Sequence, residues 1–331
     1  MVRATYCRVW VWLLMLASMV APAGLAASTS EPVSTEAVIS DVPPLKLTNV
    51  THLFDIKHDF RQPSDLAVSK AGHIYVVDGV NNSIKVFGKK GDFLFAFGKK
   101  GRGPGEFNYP LGITLDGAGQ VYIADSGNQR VQVFSAGGEF LYQIELPAKD
   151  GKLADPTDVA VMADGSQCFV VDNDHHYILV YDLAGRKLIN TFGGPGIDKW
   201  EFRYPFQLSL YKEKYLYIVD VINTRVQVLT TEGKFFTFIG EWGVERGEFF
   251  RPKGVAVDHT GHAFVSDSYM GVVQVFDGGT GAFRSVVGDG ETGGVKRFKT
   301  PVGLFIDHND RLYVVEMFAE KISVYQIERS E

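Results

Sequence analysis

Six acidic residues recur along the chain at almost constant spacing: Asp78, Asp125, Asp172, Asp220, Asp267 and Glu316. A ring of carboxylates could hold a hard cation such as calcium. The competing chemistry is structural, each acid accepting backbone N–H bonds from its own turn as Asp does in Asx turns. A metal site needs its ligands in one place rather than one in every repeat, so turn capping is the expectation, with calcium the only cofactor kept open. Zinc would need several histidines to converge. His52, His58, His73, His259, His262 and His308 are scattered, and the adjacent His175 and His176 read as a solvated loop pair. There is no Gly-x-Ser-x-Gly. The segment 98–105, Gly-Lys-Lys-Gly-Arg-Gly-Pro-Gly, has phosphate-friendly glycines but no helix behind it, and reads as a flexible loop.

The elements that carry these residues repeat. A Phe-x-x-Pro pair stands at Phe60/Pro63, Phe107/Pro110, Phe202/Pro205, Phe249/Pro252 and Phe298/Pro301, with Leu153/Pro156 as a variant. The prolines are 47, 46, 49, 47 and 49 residues apart, in step with the acids. Each copy holds a short apolar strand a, a strand b ending in the acid, a strand c and a strand d. Six four-stranded copies predict an all-β, six-bladed β-propeller. The sixth copy lacks its outer strand, while residues 45–56 form a strand with no copy around it. Residues 51–56 are expected to supply the missing strand and close the ring. With strand a innermost, the b–c loops and the d–a crossovers share one face, the top; the a–b and c–d turns share the other.

The segments Pro-Leu-Gly-Ile-Thr-Leu-Asp (110–116), Val-Tyr-Ile-Ala-Asp-Ser-Gly-Asn-Gln-Arg-Val-Gln-Val-Phe (121–134) and Gly-Glu-Phe (138–140) resemble the NHL repeat, and 220–228 resembles it again. The resemblance spans about residues 46–327. It implies a six-bladed NHL propeller that binds other macromolecules, since most similar proteins do so, while a few related propellers are metal-dependent lyases or lactonases. The fold by itself does not choose between them. In the repeats, Asn128/Arg130 and Asn223/Arg225 are expected to brace the loop beside the acid through charge-assisted bonds.

Two sets of residues compete for function. The apolar cores of the strand-a segments carry no acid, base or histidine; Asp65, Asp158 and Gln207 at the strand-a entrances are the only nearby metal ligands. A lyase or lactonase site at the top mouth would rest on these three. The other set is apolar side chains where loop tips should be polar: Val80, Val221, Ile222, Tyr269, Met270, Met317 and Phe318 in b–c loops of adjacent blades, with Trp200 and Trp242 in the crossovers. Clustered on one face, they would form a protein-docking surface. The alternative is that they fold back as local core. A carbohydrate at the same aromatics is a third reading.

Residues 1–26 have the form of a signal peptide, with Arg3 and Arg8 before an apolar run (9–20) and Gly-Leu-Ala at 24–26. An uncleaved anchor is the alternative. Residues 27–44, rich in Ser, Thr, Glu and Pro, read as a flexible linker, and 45–331 as the propeller. The chain is thus expected to be exported, periplasmic or secreted, with no membrane span once the leader is removed. The net charge of −6 gives no field for nucleic acid, and Cys7 and Cys168 make no disulfide framework. The resulting expectation is a non-catalytic scaffold that docks a protein partner in the cell envelope on its top face.

Overall fold

The computed structural model describes residues 44–328. The expected leader at 1–26, and the linker at 27–44 apart from Pro44, lie outside the described residues. Five blades are complete in chain order. Blade one is Pro63–Val68, Ile74–Asp78, Ser83–Phe87 and Phe93–Phe97; blade two is Pro110–Leu115, Val121–Asp125, Arg130–Phe134 and Phe140–Glu145. Blade three is Pro156–Val161, Gln167–Asp172, Tyr177–Asp182 and Lys187–Gly193; blade four is Pro205–Tyr211, Tyr215–Asp220, Arg225–Thr230 and Phe235–Ile239. Blade five is Pro252–Val257, His262–Asp267, Val272–Asp277 and Phe283–Asp289. Within each blade neighbouring strands are antiparallel, so the alternation of turns and crossovers between two faces holds.

Blade six, Pro301–Ile306, Arg311–Glu316 and Lys321–Ile327, takes its fourth strand from the chain start. Leu47–Lys57 runs antiparallel to Lys321–Ile327, from Val50 opposite Ile327 to Lys57 opposite Lys321, which closes the ring as the sequence led us to expect. The strand does more than close blade six. Its first four residues, 47–50, also pair in parallel with 286–289, the outer strand of blade five. One strand therefore stitches two blades, and blades five and six form a single eight-stranded sheet. Each strand a packs against the next around the circle, including that of blade six against that of blade one.

The Phe-x-x-Pro signal has a packing meaning. Phe60, Phe107, Phe202, Phe249 and Phe298 are buried between blades. Gly98, Gly193 and Gly240 lie in the left-handed region, and a Cβ on any of them would strike the ring of Phe107, Phe202 or Phe249 at 2.9 Å or less. Glycine at the end of strand d is what lets the wedge seat. Blade three departs from this. Leu153 is 59 % exposed rather than a wedge, and Leu146 and Ala154 enter the core in its place. Cys168 lies in the same core, and burial pushes its thiol up to about 12.

Candidate functional site

The six repeated acids are buried and hold the crossovers. Asp78 accepts the N–H of Arg61 at 2.8 Å, Asp125 that of Asn108 at 2.8 Å, Asp172 that of Asp155 at 3.1 Å and Asp220 that of Arg203 at 2.7 Å. Asp267 accepts Phe250 N–H at 2.7 Å and Glu316 accepts Lys299 N–H at 2.6 Å. This corrects the turn-capping expectation in its detail: the partner common to all six is the residue one or two positions before the strand-a proline. Asp267 alone accepts two donors within its b–c loop at 3.0 Å or less, from Tyr269 and Met270. Asn128 and Arg130 complete the clamp on Asp125 at 2.9 Å each, and Asn223 and Arg225 repeat it on Asp220 at 2.8 and 3.0 Å. Burial still dominates, raising the Asp125 and Asp220 carboxyls above the ordinary range despite their arginines. With its oxygens engaged this way in every blade, the set makes a poor cation ring.

Sequence reasoning missed the other half of the clamp. Gln132, Gln227 and Gln274 on strand c donate to the backbone carbonyls of Glu106, Glu201 and Glu248 and accept N–H bonds from Gly105, Trp200 and Gly247. Glu106 folds back to accept the N–H groups of Arg102 and Gly103 at 3.1 and 2.9 Å. The 98–105 loop is therefore braced rather than flexible, and its amides already face a carboxylate, which disfavours phosphate. The Val-Gln-Val triplets on strand c were the available signal.

The histidines do not converge. His175 is buried rather than solvated, its Nδ1 facing Asp172 at 2.7 Å and its Nε2 facing the Lys149 carbonyl at 3.2 Å. Tyr204 N–H donates to His176 Nδ1 at 3.1 Å. No group of three His, Cys, Asp or Glu suited to a metal occurs among the described residues.

The expected docking residues separate into two groups. Val221 is buried in the core between blades four and five, and Met317 packs against the cluster between blades six and one. Both are corrections, because loop-tip side chains next to an interblade seam find apolar neighbours there. Val80 and Met270 are half-buried. Trp200 is pinned to blade four, its Nε1 donating to Gly233 O at 2.9 Å and its ring edge-on to Phe235. Trp242 is 73 % exposed and Tyr269 63 %, and Ile222 and Phe318 are exposed on the flanking blades. Phe250, overlooked in the sequence, packs against Tyr269 with ring centroids 4.3 Å apart and ring planes tilted by 34°. Trp242 pairs in a two-residue ladder with Phe249, the residue before Phe250, and Val244 is 64 % exposed in the same crossover. Phe250 occupies the place held by Asn108, Arg203 and Lys299 elsewhere, so an apolar residue at a polar repeat position was the missed signal.

Asp65, Asp158 and Gln207 meet at the axis. They sit at the third position of strand a in blades one, three and four, where the other three blades have Gly112, Gly254 and Gly303. The glycines leave the room: a Cβ at Gly112 would lie 2.3 Å from Asp158 Oδ1, and one at Gly303 would lie 2.8 Å from Asp65 Oδ1. Asp65 accepts Gln207 Nε2 at 2.7 Å and Ile113 N–H at 3.1 Å; Asp158 accepts Val159 and Leu208 N–H at 2.8 and 2.9 Å. Burial pushes the Asp65 carboxyl up to about 7, and burial plus the Asp65 charge raises Asp158 well above its ordinary value. These residues form the floor of a cavity of about 670 Å³ lined by all six inner strands. The cavity's other wall residues include Ser69, Lys70, Ala118, Ala163 and Glu213, which belong to a–b turns. The central cavity therefore opens on the bottom, and the three residues lie at its inner end rather than around an open top mouth. Lys253 also belongs to an inner strand, two positions before its apolar core at 255–257. It lies 4.2 Å above the Phe206 ring, and burial lowers it to about 8.

A profile of a family described as a six-bladed β-propeller (DUF5128) matches residues 57–155. Among curated proteins none matches the chain in sequence. Among solved structures, a streptogramin B lyase superposes with a TM-score of 0.59 at 13 % identity, covering 83 % of this chain and 97 % of the lyase. A catalytically inactive virginiamycin B lyase from Staphylococcus aureus, solved with quinupristin, gives 0.59 at 15 % identity over 82 % of each chain. The selenomethionine form of that lyase gives 0.55 at 17 %, covering 80 % of each chain. At these identities the likeness is one of fold.

Proposed function

We propose that this chain is an exported NHL-type propeller that acts as a non-catalytic scaffold, docking a protein partner of the cell envelope on its top face. The contact area is centred on the crossover and b–c loop of blade five, with Trp242, Phe250 and Tyr269 as anchors and Ile222, Val244 and Phe318 around them. The observation that carries this reading is the solvent-facing Phe250–Tyr269 ring pair together with a Trp242 that is 73 % exposed. Large aromatics in adjacent loops are costly to leave in water and are the residue types that dominate interface energetics. The acids that a top-face enzyme would use are engaged by backbone N–H groups, which supports a scaffold over the metal-dependent lyase or lactonase alternative.

The test places a photo-crosslinking amino acid at Val244 in the native envelope, with and without Trp242→Ser and Tyr269→Ser. A single adduct of defined mass that disappears in the double variant, while the melting temperature is kept, is the expected result. An adduct indifferent to both substitutions overturns the docking surface. Turnover that is lost on chelation and restored by one metal equivalent overturns the scaffold.

A further inference from the structure

The inner end of the central cavity holds two buried carboxyl groups with no cation beside them among the described residues. Asp65 and Asp158 are both buried, and neither forms an ion pair among the described residues. Their hydrogen-bond donors are backbone amides and the Gln207 amide, all neutral. The one strand-a lysine beside the hub, Lys253, is turned onto the Phe206 ring instead. Ionising either carboxyl without a cation beside it is costly, and a ligand that brings a positive charge relieves that cost. The floor also lines an open cavity, so a ligand can reach it.

The remaining walls define the rest of the ligand. Between floor and mouth they are largely aliphatic: Leu66, Val68, Ile113, Leu115, Val159 and Leu208. Four residue steps lead from Asp65 to Ser69, which makes the cavity about 13 Å deep at the usual rise per residue. At the mouth, Asp116 and Glu213 add acid to a rim that also carries His73 and Lys70, the latter bonded to the Gly117 carbonyl at 3.4 Å. A cavity of about 670 Å³ falls within the size range of small-molecule sites.

We propose that this cavity binds a linear aliphatic amine, its ammonium group seated between Asp65 and Asp158 and its methylene chain along the aliphatic wall. A second ammonium on a diamine or polyamine would reach the mouth acids Asp116 and Glu213. The site lies on the face opposite the proposed docking surface, and the two stand or fall separately.

Titration calorimetry of the propeller with 1,6-diaminohexane and spermidine at low salt provides the test, with hexanoate and calcium chloride as comparison ligands. Expected are saturable binding of the amines at one per chain, no heat from hexanoate, and at least tenfold weaker amine binding in Asp65→Asn and in Asp158→Asn. A hub variant could fail for structural reasons, so Thr114→Lys, which adds a cation to the half-exposed wall without touching a hub hydrogen bond, is measured as well. It too is expected to weaken amine binding at least tenfold, with circular dichroism unchanged. Absence of amine binding, binding untouched by Thr114→Lys, or hexanoate binding as tightly would overturn the proposal. Calcium binding at one per chain that excludes the amines would overturn it in favour of a metal centre.

Discussion

Replacing Asp65 with asparagine should change how the stability of this protein depends on pH, and the sign can be worked out from the hub. Burial raises the Asp65 carboxyl from 3.8 in the unfolded chain to about 7 in the fold. Between those values the folded protein holds a proton that the unfolded chain has already lost. Stability from this group is therefore fully present below about pH 4 and is lost as pH rises through 7. One proton changes the unfolding free energy by about 1.4 kcal/mol per pH unit, so between pH 5 and pH 8 Asp65 should cost the wild type roughly 3 kcal/mol. Asp65→Asn removes this dependence and, by deleting a like charge, also lowers the Asp158 carboxyl. Its constant penalty is modest, because the amide retains one acceptor where Ile113 N–H and Gln207 Nε2 now find two. Urea unfolding of both proteins at pH 5, 6, 7 and 8 measures the difference. Asp125, Asp155 and Asp220 are raised as well and tilt both curves equally, so the gap between the proteins isolates the hub. If wild type and variant run parallel across this range, or the wild type gains relative stability as pH rises, the hub is not a protonated carboxyl site and the reasoning fails.

Further outcomes follow from the same geometry. Phe249→Ala should cost about 3–5 kcal/mol by opening a cavity between blades four and five, seen as a lower urea midpoint at unchanged slope. Arg130→Met leaves the fully buried Asp125 without its cation and should destabilise by about 3–5 kcal/mol, whereas Arg284→Met, at an exposed pair with Asp277, should shift stability by less than about 1 kcal/mol. Trp242→Ser with Tyr269→Ser should leave stability within about 0.5 kcal/mol per site, because both side chains face water. A chain starting at residue 58 uncovers the strand-c edge of blade six and the outer strand of blade five together, and should associate or aggregate on a sizing column at concentrations where the full chain does not.

Much of the architecture could be read directly from residue order. The 46–49 residue period of the prolines and the acids in step with them are local, repeated features, and each marks the same point in a four-stranded unit. Even ring closure followed from a defect at each end. What the sequence could not give was the destination of side chains whose partners are far away in the chain. The acid at the end of strand b could have capped its own loop or held the crossover before it, and only folding brings Asp220 to the Arg203 amide. Val221 and Ile222 are adjacent in a loop, yet one enters an interblade core and the other meets solvent, because the seam between blades four and five passes beneath one of them. The hub is the clearest case. Asp65, Asp158 and Gln207 lie 49 to 142 residues apart, and nothing local says that three glycines from other blades make room for them. Repetition in the sequence determined the wheel, since each unit carries its own hydrogen-bonding instructions. Closure of the ring decided the chemistry at its centre, since only there do six distant positions share one small, deeply buried volume.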